Sequence, residues 1–112
     1  MNEAYYMNVS LQPDETLGLI KQGMPGEAEL LYEEFNDLGE GRMIGTLVYE
    51  RYYHRSGNQA ALVIIVDNLR GVSNVRLIPA GGARGMIFKI DWGAGKSFAS
   101  SVEQILTKYI AD

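Results

Sequence analysis

The densest group of chemically capable side chains in the sequence is Tyr49-Glu50-Arg51-Tyr52-Tyr53-His54-Arg55. It holds a carboxylate, the chain's single imidazole, guanidinium groups and phenols, the group types that move protons or clamp anions. On an extended backbone side chains alternate, so Glu50, Tyr52 and His54 share one face and Tyr49, Arg51, Tyr53 and Arg55 the other. Glu50 and His54 then lie roughly 13 Å apart, too far for a direct hydrogen bond. An acid–base pair would need a partner from a neighbouring strand. The plain alternative is an amphipathic strand end with packed tyrosines and solvated charges, and no catalytic residue is assigned.

Two glycine-rich stretches could hold an anion. Asp91-Trp92-Gly93-Ala94-Gly95-Lys96-Ser97 resembles a phosphate loop, but the Walker pattern requires glycine five residues before Gly95, where Ile90 stands. What survives is a helix start whose free N–H groups sit beside Lys96 and Ser97. Ala80-Gly81-Gly82-Ala83-Arg84-Gly85 could form an anion-binding nest with Arg84. The ligand-binding candidates are therefore Gly81, Gly82, Arg84, Lys96 and Ser97, with Glu50 and His54. The ordinary reading is a hairpin loop and a turn in which Ser97 caps a helix. One histidine, no cysteine and scattered acids give no metal-ligand spacing, so neither metal nor cofactor is expected.

The chain of 112 residues is the size of one domain, 1–112, and its 46% hydrophobic and 21% charged residues are globular composition. Absence of cysteine removes disulfides and thiolate chemistry. The apolar run Ala60 to Val66 is far short of the ~20 residues of a membrane span. The first residues lack the basic start and apolar core of a secretory signal, so a soluble cytoplasmic protein is expected. Residues 22–41 contain six acids and no base, whereas 51–96 contain seven bases and two acids. Mutual attraction of these segments, within one chain or across a dimer, accounts for the asymmetry. Net charge of −4 and the lack of a basic helix argue against nucleic acid.

The elements that must position these residues follow from pattern. Residues 4–11 read as a strand. Pro13, Asp14 and Glu15 start a helix that Gly23, Pro25 and Gly26 end. Residues 27–38 have helix-forming composition, with Ala28, Leu31, Phe35 and Leu38 at helical spacing, and predict a second short helix. From Arg42 the period becomes two, giving strands at about 42–55, 59–67, 72–79 and 85–92. Their short separators make them antiparallel neighbours. The last 17 residues predict a long helix striped by Phe98, Val102, Ile105, Leu106, Tyr109 and Ile110. The expected fold is α+β, β-α(α)-β4-α, an antiparallel sheet covered by a long C-terminal helix. That order resembles the helix-grip or TBP-like folds.

A more local pattern joins Val48 to Arg55 and Asn58 with Ala80-Gly81-Gly82, Asp91-Trp92-Gly93-Ala94 and Ser97-Phe98. Over roughly residues 28–106 it resembles a family of short bacterial proteins known only as a domain of unknown function. The resemblance implies a single intact domain and no activity.

Strand 59–67 carries the functional expectation. Ala60, Leu62, Ile64 and Val66 alternate with Ala61, Val63 and Ile65, so neither face is polar, unlike a sheet with one wet side. The second face could be covered by the helix of residues 27–38, through Leu31, Phe35 and Leu38, by a ligand, or by another subunit. The reading leans to a dimer formed around Val63, Ile65, Leu47 and Tyr49. The function expected is that of a non-enzymatic binding or self-assembling protein. The alternatives are a pocket protein holding a small apolar or anionic ligand between sheet and helix, and an acid–base enzyme using Glu50, His54 or Asp91 with Arg76.

Overall fold

The computed structural model describes residues 4–53, 57–81 and 98–111. β1 (Tyr5–Val9) leads into α1 (Pro13–Gly23). Proline occupies the first turn, where its missing N–H costs nothing, and Asp14 and Glu15 face the positive helix end. The Gln12 N–H donates to Glu15 Oε1 at 3.1 Å, satisfying the residue that precedes the helix. Leu17 and Ile20 form its buried stripe.

Residues 28–39 are not a helix. They form β2 (Ala28–Gly39), the edge strand of a hairpin with β3 (Arg42–Tyr53). The turn is the cause. Glu40 and Gly41 have φ of 57° and 81°, the left-handed pair of a two-residue type I′ turn, which matches the twist of a hairpin. Asp37 Oδ1 accepts the Gly39 N–H at 2.9 Å and fixes the approach to that turn. Once closed, the hairpin supplies a ladder of backbone hydrogen bonds that outweighs helix propensity of a few tenths of a kcal/mol per residue. Irregularities after Leu30 and Asp37 break its register.

β3, β4 (Asn58–Asp67) and β5 (Ser73–Gly81) continue as an antiparallel meander, close to the strands expected from the period of two. β1 pairs antiparallel with β5, and the sheet order is β2-β3-β4-β5-β1-β6. The described part of the C-terminal helix, α2, covers residues 98–106. It does not run to the end of the chain. A 3₁₀ turn, Thr107–Tyr109, follows, and Ile110–Ala111 form the short strand β6 against Asn8 and Val9 of β1. The Ser10 N–H donates to the Tyr109 carbonyl at 2.9 Å, and strand pairing here replaces another helical turn. The architecture is thus α+β, with two helices and a six-stranded antiparallel sheet among the described residues. The strand expected at 85–92 lies outside them.

The core sits on one side of the sheet. Gly45, Leu47 and Tyr49 of β3, Ala60, Leu62, Ile64 and Val66 of β4, and Val75 and Leu77 of β5 share that face with Val9. They join Leu17 and Ile20 of α1 and Phe98, Ala99, Val102 and Leu106 of α2 in one buried cluster. Each fully buried aliphatic side chain contributes about 1.5–3 kcal/mol.

Candidate functional site

The register places the other side chains of the meander in transverse rows across the opposite face. Tyr32, Val48, Val63 and Ile78 form one row through β2, β3, β4 and β5. The next row runs Glu34, Thr46, Ile65, Arg76 and Tyr6, and the one beyond it Asn36, Ile44, Asp67, Asn74 and Asn8. On the other flank lie Glu29, Glu50, Ala61 and Ala80. Val48, Val63, Ile65 and Ile78 are half-buried and Tyr32 is exposed. Among the described residues, both helices contribute their apolar stripes to the core on the reverse side. The open face therefore has an apolar centre and a polar border.

The border is ordered by its own contacts. Arg76 Nη2 donates to Asp67 Oδ2 at 2.8 Å, and the Leu69 N–H donates to Asp67 Oδ1 at 3.1 Å. Asp67 thereby ties the β4–β5 turn to the guanidinium. Arg76 Nε is buried without a hydrogen-bond partner among the described residues, which leaves a cost in desolvation on this face. Asn74 Nδ2 donates to Asn8 Oδ1 at 3.1 Å and links β5 to β1. At the end of the sheet, Asn68 Oδ1 accepts the Met43 N–H at 2.8 Å, while its Nδ2 donates to the Gly41 carbonyl at 2.8 Å and to Gln12 Oε1 at 3.3 Å. One amide side chain thus joins the two turns and the start of α1.

On the core face, burial pushes the Tyr49 phenol above its ordinary pKa; the Lys21 ammonium lowers it and the Glu33 carboxylate raises it. Lys21 and Glu33 are themselves an ion pair between α1 and β2.

Of the residues expected to bind a ligand, Glu50 lies at the flank of the open face, opposite Ala61 and Glu29. Gly81 ends β5 opposite Ala60. β4 separates the two. His54, Gly82, Arg84, Lys96 and Ser97 lie outside the described residues, as does Asp91. Arg76 is committed to Asp67, so the anion clamp proposed for it meets a carboxylate already in place. The expected dimer surface needs correction. Val63 and Ile65 are on the open face, but Leu47 and Tyr49 are in the core, 1% and 4% exposed. Ile44, Thr46 and Val48 take their place beside Val63 and Ile65. Nor do Leu31, Phe35 and Leu38 cover that face, because they stand exposed on the edge strand.

Clefts among the described residues accompany the sheet. One, of about 660 Å³, opens between β1 and α2 and is lined by Tyr5, Met7, Leu77, Ala99, Ser100 and Glu103 among others. Another, of about 540 Å³, lies around Gln12, Arg42, Asn68 and Ser73 at the turn end. Among the described residues there is no group of three or more His, Cys, Asp or Glu side chains able to hold a metal ion, and no helix is long and apolar enough to cross a membrane.

Neither the curated proteins nor the solved structures contain a match to this chain. At the level of families there is one, consistent with the uncharacterised family that the local pattern resembles: the chain belongs to a family of unknown function (DUF6054), which matches it over residues 4–110.

Proposed function

We propose that this chain is a non-enzymatic binding and assembly domain that pairs with a second copy of itself through the open face of its sheet. The observation that carries the reading is the row Tyr32, Val48, Val63 and Ile78, with Ile65 beside it and Glu29, Glu34, Glu50, Asn36 and Asn74 around it. An apolar centre with a polar border is the anatomy of a protein interface. Closed two-fold pairs are the commonest homo-oligomers, and a sheet face can be self-complementary. In architecture we read the domain as helix-grip or TBP-like. Support comes from the order strand, helix, four-stranded meander, helix, with β1 returning beside β5.

Light scattering across micromolar concentrations tests the pairing. A mass twice the 12.4 kDa of one chain is expected, and Ile65→Lys should give a folded monomer. A wild-type mass of one chain rejects self-association, and an Ile65→Lys protein that unfolds assigns Ile65 to an internal core.

A second reading is favoured by the cleft between β1 and α2. Its apolar wall of Met7, Leu77 and Ala99, with Glu103 at its margin, suits a small apolar ligand better than an anion. Mass spectrometry of the purified protein for a co-purifying apolar molecule, and its loss in a folded Ser100→Trp variant that fills the cleft from its rim, tests that reading.

A further inference from the structure

We propose that the outer edge of β2 accepts an extended, cationic polypeptide segment as an additional strand of the sheet. The contact is made by the outer backbone edge of the strand; Glu29, Tyr32 and Glu34 also border the open face, but face-to-face pairing of two sheets leaves the backbone edges outside the contact.

β2 is an edge strand of 12 residues, and every residue from Glu29 to Gly39 is exposed. One side of its backbone pairs with β3; among the described residues no strand pairs with the other. An edge of that length is a template for strand addition. Edges built only to repel carry charge and little else. This one also presents Leu31, Tyr32, Phe35 and Leu38, which are 52%, 53%, 43% and 49% exposed. Those side chains give an added strand apolar surface to bury on both sides of the sheet.

Charge selects the occupant. Glu29, Glu33, Glu34 and Asp37 lie within the strand and Glu40 follows it, with no base between residues 22 and 41. Glu33 is paired with Lys21, but a second β2 laid along the first would bring Glu29, Glu34 and Asp37 of each copy to one seam, and like charges in facing strands destabilise. The same carboxylates attract lysine or arginine at alternate positions of an incoming strand, where cross-strand pairs of opposite charge stabilise. The edge thus rejects its own copy and favours a basic partner.

A short synthetic peptide alternating lysine with valine, added to the full chain at low salt, tests this; one alternating glutamate with valine is the control. Saturable binding of the lysine peptide is expected, with slowed amide hydrogen exchange confined to β2 and affinity that falls as salt rises. Glu29→Lys combined with Glu34→Lys should weaken it about tenfold. Repeating the titration in Ile65→Lys separates this edge from the open face, because only the edge remains unaltered. The proposal is overturned by absence of binding, by equal binding of the glutamate peptide, or by binding that leaves β2 exchange unchanged. Edge-to-edge polymerisation of the wild type that Glu34→Lys abolishes overturns it as well.

Discussion

The Cδ1 methyl of Leu17 occupies the space into which any side chain at residue 45 would project: a Cβ built on Gly45 would collide with it. Phe35 Cδ1 stands 3.2 Å away on the edge strand. Glycine here is what lets α1 lie close to β3. Gly45→Ala should destabilise the domain by about 1–3 kcal/mol through overpacking. Urea denaturation measures it, and the double variant Gly45→Ala with Leu17→Ala should recover part of the loss relative to the sum of the two single variants.

The Tyr49 phenol gives a pH signature. Its folded pKa is raised above the unfolded value of 10.0, so the folded state holds the proton more tightly. Its contribution is fully present below pH 10 and is lost as pH rises through the folded value. Tyr49→Phe should flatten the alkaline fall in stability relative to the wild type. Denaturant midpoints from pH 8 upward compare the two chains, and identical slopes would show that Tyr49 does not titrate in this way.

Glu40 occupies a left-handed conformation at φ 57° that costs a side chain with a Cβ about 1–2 kcal/mol. Asparagine visits that region more readily. Glu40→Asn should raise the thermal midpoint of unfolding, with a gain of about 0.5–1 kcal/mol.

Asn68 uses both ends of its amide, accepting from Met43 and donating to Gly41 and Gln12. Asn68→Asp keeps the acceptor and loses both donations; Asn68→Ala loses all of them. The alanine variant should cost about 1–3 kcal/mol and the aspartate variant less. Calorimetry of the three chains checks the ranking.

How far the sequence foretold the structure depended on whether a signal was local. α1 was legible because Pro13, Asp14 and Glu15 mark its start and Gly23 its end within the segment itself. The meander was legible because its period of two persists through β3, β4 and β5. β2 was misread because Glu-Ala-Glu-Leu-Leu favours a helix on its own, while a turn with glutamate rather than asparagine at the first left-handed position hides the hairpin. The open face was legible in β4, which has no polar side, but its companions in β3 were not. With a period of two, a single residue of register exchanges the faces, and register depends on partners distant in sequence. So Val48 rather than Leu47 stands beside Val63. At the end of the chain, Ile110 continued the helical stripe in sequence, yet its backbone is taken up by Val9.

The place of β1 in the sheet sets the order in which the fold can form. β2 to β5 follow one another in the chain at short separations and can zip together as successive antiparallel pairs. β1 must wait for them, because Tyr5 meets Leu77 and Val9 meets Ser73 across nearly the whole intervening chain. Closing that loop carries its entropy cost before the pairing returns anything. Substitutions in the β3–β4 hairpin should therefore act mainly on the rate of folding, and those at Tyr5 or Met7 mainly on the rate of unfolding. The strand made first in sequence joins the meander last, and only then can β6 close on it.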